Sequence, residues 1–301
     1  MSRTSVSENL VKIMNNGFSF DINELNTKEN HTPFFIIGAP RSGTTFLYQA
    51  LISTFKPGYP TNLIAKFWGN PLYGYALQES LNLNSGDFKS SFSSTHGFSD
   101  TSVMEPHEFG YFWGRWFDNS KNHFSPADTE VDNSLADIIN ALMNISDRPW
   151  VFKNLTLGLK VPVIKKLFPK AKFIYVKRDM ADNAQSLYNG RIKRFGSPQT
   201  WWSLMPKETD EIKKLTPEEQ VVAQVFCSNS QIENSLSSLS DKDYISVKYE
   251  DVLKDTDLFL NSFKALSDME KSGTIDIKTT APETVADKAI REFADKYREM
   301  K

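Results

Sequence analysis

Apolar and polar positions follow two regimes along this chain. The run Thr32 to Gly38 (TPFFIIG) is short, apolar, aromatic and branched, and it ends on glycine. That pattern predicts a strand buried on both faces. After the turn Ala39-Pro40-Arg41-Ser42-Gly43, residues Thr44 to Phe55 place Phe46, Leu47, Ala50, Leu51 and Phe55 at helical spacing. Strand, glycine turn and helix make half of a βαβ unit. The same alternation returns near residue 133, with a predicted helix at about 133–145 and a strand at Trp150 to Lys153. LGLKVPVIKKLF reads as a helix with an early proline, and AKFIYVKR (Ala171 to Arg178) as a second parallel strand. Next come a helix capped by Asp179, the loop SPQTWWSLMP, and a long helix from Pro217 through SSL. A third strand, Tyr244 to Tyr249, runs into a helix, and a charged amphipathic helix closes the chain. Strands alternating with helices predict an α/β fold with a three-layer parallel sheet and flanking helices.

The second regime lies between the halves of that pattern. Residues 56–126 are rich in Phe, Trp, Tyr, Gly, Asn and Ser, with short helical patches in NLIAKFW and PLYGYALQESL. A helix is predicted to start at Pro106, since proline suits a first helical turn, and to carry HEFGYFWGRWF. The segment is too long for a plain connection and reads as an inserted helical and aromatic substrate-binding region, 56–148. The first 30 residues read as a peripheral helix and a polar arm. We read a single domain over 1–301, with a loop unit at 32–55, the insertion, a second half at 150–266 and a C-terminal helix within 267–301.

Composition narrows the function. Thirty-five Lys and Arg against 37 Asp and Glu give a net charge of −2, so no nucleic-acid partner is expected. Hydrophobic residues at 40 % exclude wholesale disorder. The single cysteine, Cys227, excludes an intrachain disulfide and a multi-cysteine zinc site. The four histidines show no HExxH spacing, and no metal is expected. No stretch approaches the ~18 uninterrupted apolar residues of a membrane span. The N-terminus has no basic head followed by an apolar run, so a cytoplasmic location is expected.

The chemistry centres on Gly38-Ala-Pro-Arg-Ser-Gly43-Thr44-Thr45. This fits the GxxxxG of a phosphate loop, but Thr44 occupies the position of the usual lysine, and the cation sits inside the loop as Arg41. Backbone N–H groups of 41–45 at a helix N-terminus form an anion cradle, to which Thr44 and Thr45 add hydroxyls. The missing lysine normally spans β and γ phosphates; a nucleotide without a γ-phosphate does not need it. A tight turn that merely holds two glycines is the plain alternative. The strand before, the helix after and the run Pro-Arg-Ser-Gly-Thr-Thr weigh against it.

PRSGTTFL resembles the 5′-phosphosulfate-binding loop of the sulfotransferases that use 3′-phosphoadenosine 5′-phosphosulfate (PAPS). FKNLTLGLKVPVIKKLFPKAKFIYVKRDMADNAQSLYNGR is similar to that family's central segment, and YISVKYEDVLKDTDLFLNSF to its tyrosine-glutamate-aspartate segment. The matching segments cover roughly 32–55, 105–117, 150–195 and 244–266. The resemblance implies a P-loop NTPase-like sulfotransferase fold. It implies PAPS as donor, adenosine 3′,5′-bisphosphate (PAP) as product, and a hydroxyl or amine of a small-molecule, lipid or carbohydrate acceptor. It assigns Arg41, Ser42, Gly43, Thr44, Thr45 and Phe46 to the donor's 5′ end, and Arg178 with Ser186 to its 3′-phosphate. Arg178 ends a parallel strand, where ligands of open α/β sheets bind, and Ser186 lies two helical turns on. An ordinary ion pair of Arg178 with Asp179 or Asp182 is the plain alternative.

One departure matters. The family's aryl and steroid branch reads lysine-threonine-histidine after the second strand, and the histidine is the base. Here the run is Lys153-Asn154-Leu155. Lys153 and Arg41 are expected to steady the leaving phosphate, and the base must come from elsewhere, the best source being Met104-Glu105-Pro106-His107-Glu108-Phe109. We rank Glu108 first, His107 second and Glu105 third; the competing reading is that these carboxylates merely sit at a helix N-terminus. Part of the aromatic stripe Phe109, Tyr111, Phe112, Trp113, Trp116 and Phe117 is expected in the core. The rest, with Phe67, Trp68, Tyr73 and Tyr75, is expected to line an acceptor pocket. Trp201 and Trp202, after Arg191, Lys193 and Arg194, read as a lid over the nucleotide. The aryl branch's glycine-rich arginine-lysine segment is missing from 267–301, which leaves Arg191 or Arg194 as substitutes at the 3′-phosphate. Two rival readings are a magnesium-dependent nucleoside or small-molecule kinase, and a nucleotide-binding module that has lost its base.

Overall fold

The computed structural model describes residues 25–83, 102–117, 131–273 and 286–300. The predicted N-terminal helix and most of the polar stretch after 270 lie outside the described residues. Four strands form one parallel sheet: β1 (Phe34–Gly38), β2 (Val151–Lys153), β3 (Lys172–Lys177) and β4 (Tyr244–Lys248), in the order β2-β1-β3-β4. From β1 the chain first adds β2 on one side and then crosses to β3 on the other. The crevice outside the strands' carboxyl ends at such a reversal is where open α/β sheets bind ligands. Gly38, Lys153 and Arg178 all lie at that edge.

The strands are short and apolar on both faces because both faces are covered. Phe34 and Ile36 of β1, Val151, Ile174 and Val176 face one core. This core also takes apolar residues from α1 (Thr44–Phe55), α10 (Tyr249–Lys254) and α11 (Thr256–Ser267). Phe35 and Ile37 face the other core with Phe152, Phe173 and Tyr175. There Phe35 stacks on Phe152 and Phe173, its register partners in the neighbouring strands, at 5.5 and 5.7 Å. Each such buried aromatic contributes about 1.5–3 kcal/mol. The second core is closed by α2 (Asn62–Lys66), α3 (Pro71–Ser80), α4 (Gly110–Trp113), α5 (Ser134–Ile145), α6 (Val161–Leu167) and α9 (Pro217–Leu236). The result is the expected three-layer α/β architecture. A third, smaller cluster joins α7 (Met180–Phe195) and α9 to the C-terminal helix α12 (Lys288–Arg298). The short α8 (Thr209–Ile212) precedes α9. Among the described residues no helix is long and apolar enough to cross a membrane.

Two expectations are corrected. The segment LGLKVPVIKKLF is not one helix: a 3₁₀ turn over Leu155–Leu159 precedes α6, with the break at Lys160. The helix expected from Pro106 is absent. Pro106 instead bridges Thr61 in antiparallel fashion, the His107 N–H donates to the Pro60 carbonyl at 2.8 Å, and the Asn62 N–H donates to the Glu105 carbonyl at 2.9 Å. These bonds hold residues 105–107 extended, and only the four-residue α4 follows.

Candidate active site

The loop between β1 and α1 leaves a helix N-terminus open. Arg41 adopts a left-handed backbone, φ 67°, and Gly43, φ 98°, is the cap residue of α1. Gly43 brings no capping side chain, so the first-turn N–H groups of α1 are left to whatever sits in the loop. Only glycine serves there, because a Cβ would lie 2.2 Å from the Tyr249 ring. Ser42 is buried, and its hydroxyl has no hydrogen-bond partner among the described residues. Thr44 is buried and Thr45 partly exposed at the loop rim. The Phe46 side chain belongs to the core and packs edge-on against Tyr249.

The neighbouring strand end and helix wrap this loop. The Arg178 guanidinium donates to the Arg41 carbonyl at 3.1 Å and lies over the Tyr249 ring at 5.3 Å. Arg41 Nε donates to Ser186 Oγ at 3.3 Å, and the Arg41 guanidinium lies over the Trp202 ring at 5.8 Å. Asn183 Nδ2 ties the start of α7 to the Pro40 carbonyl at 2.5 Å. Burial, and then the Arg178 charge, pull the Arg41 pKa below its ordinary value. Two guanidiniums concentrated on one loop at that cost are an arrangement that a bound polyanion relieves. Asp179 caps α7 as expected, accepting from Ala181 and Asp182, and also takes Arg298 at 2.7 Å.

A second cluster sits at the end of β2. The buried Lys153 ammonium pairs with Glu108 Oε1, while the Asn154 side chain donates to the Glu108 carbonyl at 3.1 Å. Glu108 keeps 27 % of its side chain exposed. Its charge pushes up the pKa of Arg41 and, after burial and Tyr59, that of Tyr48, which puts carboxylate and phosphate loop in one electrostatic neighbourhood. Glu108 lies not within a helix but in the turn just before Phe109, the cap residue of the four-residue α4. His107 Nδ1 accepts the Phe109 N–H at 2.8 Å. Burial lowers the His107 pKa below the usual imidazole range, opposed by the Glu108 charge. Glu105 is buried behind this turn. Leu155 packs against the core, so this chain has no imidazole at the end of β2.

Other expectations divide. Phe109, Phe112, Trp113, Phe117 and Tyr75 are core, and only Tyr111, 74 % exposed beside Trp68, and the partly buried Phe67, Trp68, Tyr73 and Trp116 remain for a pocket wall. Arg191 is no substitute at the 3′-phosphate. It is fully buried, donates to the Pro198 carbonyl, Gln220 and Gln224, and stacks on Trp201. Arg194 instead lies over the Trp202 ring at 5.6 Å. Sequence reasoning missed Asn183, one turn beyond the Asp179 cap, whose side chain ties α7 to the loop; helical spacing was the available signal. Among the described residues no group of three or more His, Cys, Asp or Glu is placed to hold a metal.

The fold is that of a P-loop-like α/β protein, with a glycine loop at the tip of its central strand. A family model described as "Sulfotransferase family" matches residues 33–263, and the chain belongs to the sulfotransferase family, whose enzymes transfer sulfuryl groups. Two solved structures share the fold. Sulfotransferase STF9 from Mycobacterium avium aligns with a TM-score of 0.51 at 12 % identity, covering 93 % of this chain and 70 % of that one. Sulfotransferase STF1 from Mycobacterium tuberculosis H37Rv aligns with a TM-score of 0.51 at 13 % identity, covering 88 % and 71 %. No curated protein sequence matches the chain.

Proposed function

We propose that this sulfotransferase takes its sulfuryl group from PAPS and delivers it to a hydroxyl or amine of a small-molecule, lipid or carbohydrate acceptor, releasing PAP. The observation that carries the reading is the contact of Arg41 Nε with Ser186 Oγ at 3.3 Å, beside Arg178, which follows β3 and donates to the Arg41 carbonyl. Two cations, a hydroxyl and a helix N-terminus suit a ligand with separate 5′ and 3′ anionic groups. The unpartnered, buried Ser42 hydroxyl and the Gly43 cradle fit the 5′ end.

When bound, PAPS supplies a sulfuryl group on a good phosphate leaving group. The chain supplies positioning and charge. Arg41 and the α1 N-terminus hold the 5′ phosphate, and Arg178 with Ser186 hold the 3′ phosphate. Glu108 accepts the proton of the acceptor hydroxyl as its oxygen bonds to sulfur and the bond from sulfur to the phosphate oxygen breaks. Lys153, paired with Glu108 at the end of β2, would steady charge on the leaving oxygen. No step calls for a metal, and family membership displaces the kinase reading.

The test combines binding and turnover. PAP should raise the melting temperature with concentration, by mass action, more than adenosine 5′-phosphate does. Arg178→Ala should erase that difference. Equal binding of the two nucleotides by the unaltered enzyme refutes the 3′-phosphate assignment. A screen of acceptor classes with labelled PAPS in excess chelator then identifies the acceptor. Turnover that requires added magnesium counts against the mechanism.

A further inference from the structure

The turn that carries Glu108 is pinned at several points, and His107 is one of the pins. The His107 N–H is held by the Pro60 carbonyl, and the Glu108 carbonyl by Asn154 Nδ2. Phe109, a bulky residue, is nevertheless left-handed at φ 59°, a backbone such side chains rarely adopt. It is buried and stacked on Phe112 at 4.3 Å with the rings 6° from parallel. Its N–H points back to His107 Nδ1 at 2.8 Å, two residues earlier, which is the geometry of an Asx turn made by an imidazole. A neutral imidazole that accepts at Nδ1 carries its proton on Nε2. No ring lone pair is then left to take a proton from an acceptor.

We propose that His107 is a positioning residue: its Nδ1 closes the left-handed turn at Phe109 and so aims the Glu108 carboxylate at Lys153 and the reacting centre. The inference rests on Glu108 being the base. Without an acceptor at 107, the buried Phe109 N–H loses its partner and the left-handed turn loses a restraint. Glu108 then swings off its position, although no atom that touches substrate has been removed.

The test compares kcat for His107→Asn, His107→Leu, Glu108→Gln and the double variant Glu108→Gln/His107→Leu, with PAP-induced melting shifts as a control for fold and donor binding. Asparagine is the natural Asx-turn residue and is not a base. His107→Asn should therefore keep kcat within about threefold of the unaltered enzyme, whereas His107→Leu should lose about 10- to 100-fold through misplacement. Glu108→Gln should lose ~10²–10⁴-fold, and adding His107→Leu to it should cost nothing more, because both act through one carboxylate. Should His107→Leu fail to fold, His107→Ala removes the same acceptor without added bulk. Equal loss in His107→Asn and His107→Leu makes the ring itself an acid or base and overturns the proposal. Normal turnover in both overturns it as well. Normal turnover in Glu108→Gln instead refutes the base assignment, and the inference falls with it.

Discussion

Gly190 sits within α7, where alanine would ordinarily be the better residue, yet the structure leaves no room for a Cβ there. A Cβ at 190 would stand 2.5 Å from Cζ3 of Trp202. The Trp202 backbone is tethered by Gln224 Nε2 to its carbonyl at 2.9 Å, so the ring must tilt and cannot simply withdraw. Relief of mid-helix glycine is worth about 1 kcal/mol, and overpacking typically costs about 1–3 kcal/mol, so Gly190→Ala should lower stability by only about 0–2 kcal/mol. Its main effect falls on Arg41, whose guanidinium lies over the same ring at 5.8 Å. Without that contact Arg41 must be re-ordered when a ligand binds, which at about 0.5–2 kcal/mol weakens binding by at most roughly 2- to 30-fold. Calorimetric titration with PAP, beside a thermal melt of the ligand-free protein, separates the two effects. An unchanged Kd for PAP in a stably folded Gly190→Ala protein would refute the claim that Trp202 holds Arg41 in place.

Three further expectations follow from buried polar groups. Ser42→Ala should leave the ligand-free melting temperature unchanged or slightly raised, because it removes a buried hydroxyl without a partner, while weakening PAP binding; a clear loss of stability would mean that the hydroxyl is already satisfied. Arg191→Met should cost at least about 2 kcal/mol in chemical denaturation, since the Pro198 carbonyl, Gln220 and Gln224 lose their shared donor; a neutral result would show that water replaces it. Burial holds the His107 pKa below its ordinary value of 6.5, so the unfolded chain binds more protons than the folded one between those two values. Stability therefore rises with pH across that window and falls as pH drops through it. His107→Asn should flatten the dependence of melting temperature on pH below the ordinary imidazole pKa of 6.5, and an unchanged slope would refute the neutral assignment.

Much of the architecture was written locally. The apolar run at 34–38, the glycine turn and the helical spacing of 44–55 specify strand, anion loop and helix with no reference to the rest of the chain, because each is a short-range pattern. Asp179 as the cap of α7 and Arg178 just beyond the last residue of β3 were legible for the same reason. The conformation of 105–108 was not. Proline at 106 reads locally as a helix start, yet residues 105–107 pair with 60–62, more than forty positions earlier, and that pairing overrode the local preference. Arg191 was read from its basic run as a substitute at the 3′-phosphate, but helical phase turned it into the packing between α7 and α9, where Gln220 and Gln224 accept its hydrogen bonds. The ion pair of Glu108 with Lys153 joins residues 45 positions apart. No periodicity carries such a contact. It exists because the chain returns from the insertion to add β2 beside β1, which sets Lys153 at the same sheet edge as the phosphate loop.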